Sequence, residues 1–537
     1  MHDADQPAAA AKADITRDQA RALDLLGRNE THGLPSDGRV DRIDTHAASV
    51  FLAGDRAYKL KRAVTFPFFD YSTLSQRLSA CEAEVALNRR TAPTLYLGVG
   101  GLVADGAGGF RLVADAPVGS DGGPAADVLD YVITMRRFPQ EMLLDRMAAE
   151  GRLTPAIMRR LAEGIAQFHE AAEPRPMAPG AEEMTDLVET NALEMHRHGL
   201  FERGRVEALL RQSLAVLGSQ AELINRRRDA GYIRHCHGDL HLRNIVLLDG
   251  EPVPFDCVEF GDRIAVTDTL YDLAFLLMDL EHRRLRSLAN ILFNRYLELT
   301  GDLAGLSLLP LFMSVRAAIR AHLTAAAVAG QADAVKAQGL RAEAQSYLEL
   351  ASRLLSPPPA QVVAIGGLSG TGKSTLARVL APGIGPAPGA VILRSDVLRK
   401  KLAGCDELQP LPKEFYGPAH TDRTYAELAG QAGLVLDGRH AVICDAVYAK
   451  PEQRQTLESV AKAAGAPFTG LWLVADQAIQ VDRVRRRRDD ASDADADIVR
   501  RQAAYDLGDM HWEVIPANGS EGETAAIARR HVESARR

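Results

Sequence analysis

Residues Gly367-Leu368-Ser369-Gly370-Thr371-Gly372-Lys373-Ser374 follow the spacing GxxxxGK[ST] in full, with Thr375 next. Glycines in that pattern let backbone N–H groups turn inward around phosphate oxygens. A helix starting there adds the positive end of its dipole. Lys373 is then expected on the β and γ phosphates of a nucleotide, and the Ser374 hydroxyl on Mg²⁺. Two carboxylates complete the set. Asp396, in Arg394-Ser395-Asp396-Val397-Leu398-Arg399, could accept a proton from an acceptor hydroxyl. Asp445 closes a short apolar run and could hold Mg²⁺ through water. The sequence leaves open which of the two serves the metal and which the acceptor. The basic run from Asp482 through Arg488 contains Arg483 and Arg487, four apart on one expected helical face. They could close on the phosphates as a lid, or the run could be a solvated helix balanced by Asp489, Asp490, Asp493, Asp495 and Asp497.

A second polar cluster is His235-Cys236-His237-Gly238-Asp239-Leu240-His241-Leu242-Arg243-Asn244, followed by Pro252-Val253-Pro254-Phe255-Asp256. Phosphoryl transfer needs one carboxylate to orient a hydroxyl and further oxygen ligands to hold Mg²⁺. Asp239 suits the first role, and Asn244 and Asp256 the second. A metallo-hydrolase HxHxDH reading fails on spacing, since His241 comes two residues after Asp239.

The elements that must position these groups follow from pattern. Residues 48–60 read as a hairpin turning at Ala53-Gly54-Asp55, and 72–88 as a helix. Residues 96–111 read as a second hairpin. Helices are expected over 154–228 and 269–355, with strands in 244–258 between them. Arg226-Arg227-Arg228 reads as a solvated helix end. Ser356-Pro357-Pro358-Pro359 breaks the chain, because consecutive prolines cannot continue a helix. Beyond it, strands at 361–365, 390–393, 441–444 and 470–474 alternate with helices, as in a parallel α/β domain.

The C-terminal half resembles small P-loop kinases of the zeta-toxin, polynucleotide-kinase and gluconate-kinase type. That resemblance implies Asp396 as base or substrate anchor, with Arg399 as its neighbour. Residues 40–350 resemble aminoglycoside phosphotransferase-like kinases, a branch of the protein-kinase-like fold, through HGDxxxxN at His237, Gly238, Asp239 and Asn244. Asp256 then stands for the family's metal-binding aspartate. The resemblance also implies a nucleotide-positioning lysine on an early strand, paired with a glutamate on the next helix. Lys59 and Lys61 share a strand face, and Glu82 and Glu84 follow; Lys59 with Glu84 is the preferred pair. Residues 131–138 would border adenine. The early hairpin carries only Gly54, with no GxGxxG loop. The whole chain resembles a bacterial bifunctional family that fuses these two domains, which implies two ATP sites of unrelated fold.

The expected architecture is therefore a tail or opening helix over 1–30, an α+β bilobal kinase-like domain over 31–355, a proline linker over 356–360, and an α/β P-loop kinase domain with a parallel sheet over 361–537. At 537 residues, 46% hydrophobic and 25% charged, the chain is neither a disordered nor a fibrous protein. Its net charge of −8 gives no general reason to bind nucleic acid. The cysteines at 81, 236, 257, 405 and 444 are scattered without a CxxC pair, which suits a reducing cytoplasm. No signal peptide or membrane span is expected. The expected activity is ATP- and Mg²⁺-dependent phosphoryl transfer to a hydroxyl of a small molecule. The alternatives are a regulatory or toxin-like ATP-binding protein and a polynucleotide-kinase-like enzyme.

Overall fold

The computed structural model describes residues 17–66, 69–487 and 490–535. Most of the expected N-terminal tail, together with Arg488 and Asp489 of the basic run, lies outside the described residues. The chain divides into two compact units. One runs to Ala178 and resumes over Arg228–Leu273; the other comprises Pro179–Arg227 and Ala274–Arg537.

In the first unit six antiparallel strands form one sheet. Their order is Val40–Asp44, Ala48–Ala53, Arg56–Lys61, Val128–Arg136, Tyr96–Ala104, Phe110–Val113. Residues Ala53 and Arg56 pair across the Gly54-Asp55 turn, where Gly54 takes a left-handed φ of 57°. Alternation along Arg56–Lys61 sorts its side chains between two faces. Leu60 joins Phe51 and Val132 against Ala22, Leu23 and Leu26 of the helix Arg17–Leu26. Ala57 joins Tyr131, Ile133 and Met135 against Leu78, Cys81 and Val85 of the helix Leu74–Asn88. Lys59 and Lys61 follow Ala57 at intervals of two, so the fold sends both ammonium groups to the face that carries Glu84. The helix Leu74–Asn88 starts at a capping box, with Thr73 accepting from the Gln76 backbone and Gln76 answering. Val40–Asp44 is an edge strand the sequence reading did not anticipate. Its pattern is polar and half exposed, so it carries little hydrophobic signal.

The second unit contains a five-stranded parallel sheet. Its order is Val391–Arg394, Val442–Asp445, Val362–Gly367, Phe468–Val474, Glu513–Pro516. Val363, Ile365, Ile443, Leu471 and Ile515 pack against Leu376, Leu380, Ala525 and Ala528. The strand Glu513–Pro516 escaped the sequence reading because only Ile515 of its four residues is buried. Helices of the same unit include Ala181–His198, Arg286–Thr300, Leu309–Ala329 and Ala334–Leu354. The stretch Leu306–Ala329 is long and apolar enough to cross a membrane by length and composition, yet 67% of its most apolar window is buried within the fold. Asn290 and Asn294 of the helix Arg286–Thr300 treat Val391–Arg394 as a partner strand would. Both Nδ2 groups donate to the Ala390 carbonyl at 3.1 Å, and the Ile392 N–H donates to Asn294 Oδ1 at 2.7 Å.

The reading of Arg226–Arg228 as a solvated helix end is corrected at its middle residue. Arg227 is 3% exposed and forms a two-pronged pair with buried Asp302 at 2.6 and 2.7 Å. A partner 75 residues away decides which arginine of the run turns inward.

Candidate active sites

In the first unit the segment that carries His237, Asp239 and Asn244 hangs from one buried carboxylate. Asp272 accepts from the backbone N–H groups of His237 (3.1 Å) and Gly238 (2.9 Å) and lies 3.1 Å from His169 Nε2. Gly238 has φ +82°, and a Cβ there would sit 3.3 Å from Ala265, Ile264 and Val258, so only glycine fits without strain. His169, Cys236 and Asp272 also offer ligand atoms within 4.8 Å of one another. The Asp272 oxygens are engaged by the loop backbone, so we read this group as the anchor of the segment. Asp272→Ala would leave two buried N–H groups without their acceptor and should destabilise the protein by about 3 kcal/mol or more, read by chemical denaturation.

The segment then delivers its side chains. His237 accepts at Nδ1 from the Asp239 N–H (3.4 Å), so Nε2 carries the proton toward the Phe255 carbonyl at 3.0 Å. Burial holds its pKa below the ordinary value, which keeps the ring neutral. Asn244 donates from Nδ2 to the Asp239 carbonyl (3.1 Å) and to Asp239 Oδ2 (2.8 Å), so these two expected site residues are in direct contact. The hairpin Ile245–Leu248 with Glu251–Pro254 leads on to Asp256. Asp256 holds a left-handed φ of 63°, a strained backbone of the kind found at functional sites. Its N–H donates to Tyr96 Oη (3.2 Å), and the next N–H, of Cys257, donates to Asn88 Oδ1 (2.8 Å).

Lys59 Nζ lies 2.7 Å from Glu84 Oε1 and 2.6 Å from Asp256 Oδ1, while Glu82 takes no part in this pairing. Desolvation pushes the Lys59 pKa down, but the carboxylates of Asp256 and Glu84 outweigh it and hold it well above the ordinary value. Lys61 also reaches Glu84, at 2.6 Å from Oε2, and pairs with Glu259. Lys59, Lys61, Tyr96, Asp239, Asp256 and Glu259 line one cavity of about 370 Å³. Asn244 and Asp256 supply amide and carboxylate oxygens, a hard donor set that fits a divalent cation of the Mg²⁺ type. Glu259 was missed in the sequence; its only signal is its place three residues after Asp256.

In the second unit the loop after Val362–Gly367 is built by close approach. Gly370 has φ +82°, and a Cβ there would lie 2.5 Å from the Gln480 carbonyl oxygen. Gly372, at φ +98°, caps the helix Lys373–Leu380. The Ser369 N–H donates to Gln502 Oε1 at 2.7 Å, a contact that no motif signals. Lys373 Nζ rests on the Leu368 carbonyl at 3.1 Å. Desolvation holds its pKa below the ordinary value, against the pull of Asp445 and Asp396. Ser374 Oγ donates to Asp445 Oδ2 at 2.5 Å, again an all-oxygen pair suited to Mg²⁺. Arg394 links Asp445 (3.6 Å) and Asp490 (2.9 Å). Asp396 opens the helix Ser395–Leu402 and lines a cavity of about 1850 Å³ shared with the loop, Arg399, Tyr416 and Asp445. Arg399 is buried, donates to the Phe415 carbonyl at 2.9 Å and lies over the Tyr416 ring.

The shared helical face expected for Arg483 and Arg487 is corrected. The helix Gln477–Arg486 stops one residue short, and Arg487 follows with ψ 135°. Arg483 is committed to the carbonyls of Thr371 (3.2 Å) and Ala517 (2.8 Å), so it braces the loop backbone. Arg487 lies beyond the helix end and faces the same cavity.

A model of the phosphotransferase enzyme family matches residues 115–309, and an AAA-domain model matches residues 362–505. Uncharacterized proteins of Mycobacterium tuberculosis and Mycobacterium bovis are 29% identical over 517 residues, covering 94% of this chain and 98% of theirs. Among solved structures, a choline/ethanolamine kinase family protein from Mesorhizobium loti is 15% identical, covering 63% of this chain and 97% of that one, with a TM-score of 0.38. A gluconokinase from Sinorhizobium meliloti is 18% identical, covering 33% and 95%, with a TM-score of 0.23. Both domain types are built to handle ATP with a divalent metal. The chain thus joins a kinase-like domain of the phosphotransferase enzyme family to a P-loop kinase-like domain with a parallel sheet.

Proposed function

We propose that the protein is an ATP- and Mg²⁺-dependent phosphotransferase with two separate ATP sites, each passing a γ-phosphoryl group to a hydroxyl of a small molecule in the cytoplasm. The observation that carries this reading is a repeated set: each unit gathers a lysine, oxygen ligands and a cavity-lining carboxylate around one pocket. In the first unit Lys59, oriented by Glu84, binds phosphate oxygens, and Asn244 and Asp256 hold Mg²⁺. Asp239, side chain 40% exposed, takes the proton of the acceptor hydroxyl. In the second, Lys373 and the loop N–H groups bind the phosphates, with Gly367, Gly370 and Gly372 allowing the approach and Ser374 and Thr375 opening the helix. Asp445 is 4% exposed and already paired with Ser374, so it takes the metal role, which leaves Asp396 for the acceptor proton. Bound Mg²⁺ supplies charge neutralisation on the phosphates at both sites. The five free cysteines suit the cytoplasmic assignment.

The test is mass-spectrometric detection of γ-phosphate transfer from labelled ATP into a metabolite extract, comparing wild type with Asp239→Asn and Asp396→Asn. Each substitution should remove a different set of labelled products. Labelling that survives both together, or is lost equally to either, would contradict two acceptor sites.

A further inference from the structure

Two lysines compete for one glutamate in the first unit, and the competition is built rather than incidental. Glu84 is fully buried and gives each oxygen to a different lysine, Oε1 to Lys59 at 2.7 Å and Oε2 to Lys61 at 2.6 Å. Beyond Glu84 the two lysines diverge. Lys59, side chain 17% exposed, reaches Asp256, whereas Lys61, 2% exposed, reaches Glu259. Glu259 is fixed in turn, since Tyr71 Oη donates to its Oε1 at 2.6 Å. The Lys61 ammonium also lies 4.9 Å over the Tyr71 ring. Asp256 and Glu259 belong to one short segment, so Lys61 ties together the strand Arg56–Lys61, the helix Leu74–Asn88 and the stretch bearing a metal ligand.

This arrangement answers a difficulty in the phosphotransferase reading, on which it rests. When Lys59 shares its charge with phosphate and Asp256 with metal, Glu84 loses part of its neutralisation while remaining buried. A buried carboxylate that loses a partner no longer has its position fixed. Lys61, only 2% exposed and already engaged by Glu259 and Tyr71, keeps a charge on the second oxygen of Glu84. We propose that Lys61, held by Glu259 and Tyr71, is a positioning residue that keeps the Glu84 carboxylate fixed in place while Lys59 engages the nucleotide.

The experiment is calorimetric titration of Mg·AMP-PNP into full-length protein carrying Lys373→Ala, so that only the first site responds. Lys59→Met should weaken binding by about 100-fold or more, as loss of a direct charge contact. Lys61→Met should weaken it by about 10-fold, the scale seen when an outer-layer partner is removed. Glu259→Gln should act in the same direction, and Lys61→Arg should restore most of the affinity. A purely structural role for Lys61 would lower thermal stability in Lys61→Met without changing affinity in the folded protein. Wild-type affinity in both Lys61→Met and Glu259→Gln, beside a weakened Lys59→Met, would overturn this proposal alone. Should Lys61→Met not fold, Glu259→Gln and Lys61→Arg carry the comparison. Wild-type affinity in Lys59→Met would overturn the nucleotide site itself, and this proposal with it.

Discussion

Lys373→Ala is expected to abolish nucleotide binding in the P-loop cavity while leaving the first unit's affinity unchanged. The loop is shaped before the nucleotide arrives, because Gly370 packs on the Gln480 backbone, Gln502 holds Ser369, and Arg483 holds Thr371. The lysine is thus the main cation added to a finished cradle. Its removal should cost about 3 kcal/mol or more of phosphate binding, over 100-fold in affinity. Calorimetry should then count one site fewer. The same substitution should not weaken the free protein. Desolvation lowers the Lys373 pKa in the folded state, so the unfolded chain binds that proton more tightly. The resulting stability cost is full below the folded-state pKa and fades as pH rises through the ordinary lysine range. Removing the lysine should therefore stabilise the nucleotide-free protein at neutral pH, with the gain shrinking toward alkaline pH. Denaturation midpoints at pH 7 and pH 10 check the sign. An unchanged site count, or a loss shared by the first unit, would contradict the independence of the two sites.

Asp239→Asn should leave ATP binding in place and stop the transfer step. An amide is close in shape to the carboxylate and can still accept the hydrogen bond that Asn244 donates to Oδ2 at 2.8 Å. The backbone held by Asp272 does not involve the changed side chain. What is lost is the ability to take a proton from the acceptor, worth about 10²–10⁴ in rate. Single-turnover transfer in the Lys373→Ala background should show that fall in kcat with little change in nucleotide affinity. A fall in affinity with an unchanged rate would instead make Asp239 a binding group.

How far the sequence revealed these sites depended on how local each interaction is. The phosphate loop and the His237–Asn244 cluster announce themselves because their chemistry-bearing residues fall close together in sequence, although Gln480, Gln502, Arg483 and Asp272 hold their backbones from much farther along the chain. The choice between Lys59 and Lys61 could not be read that way. The two sit on the same strand face, and their separate partners, Asp256 and Glu259, lie almost two hundred residues on. Arg227 misled for a related reason: a run of arginines reads as solvated until Asp302 appears opposite one of them. The helix expected to carry both Arg483 and Arg487 was right over most of its length. It ends one residue short of Arg487, and Arg483 is taken up by the loop carbonyls, which periodicity does not encode.

The two asparagines on the margin of the parallel sheet have a bearing on how this gene could be divided. An outer strand with bare amides and carbonyls invites strand addition by another molecule, and proteins guard such margins by covering them. Here the guard over Ala390 and Ile392 is supplied by Asn290 and Asn294, which precede the proline break by some sixty residues. A P-loop half expressed from the prolines onward would begin life with that margin open and prone to self-association. The fusion therefore makes the earlier helices a standing chaperone for the later sheet.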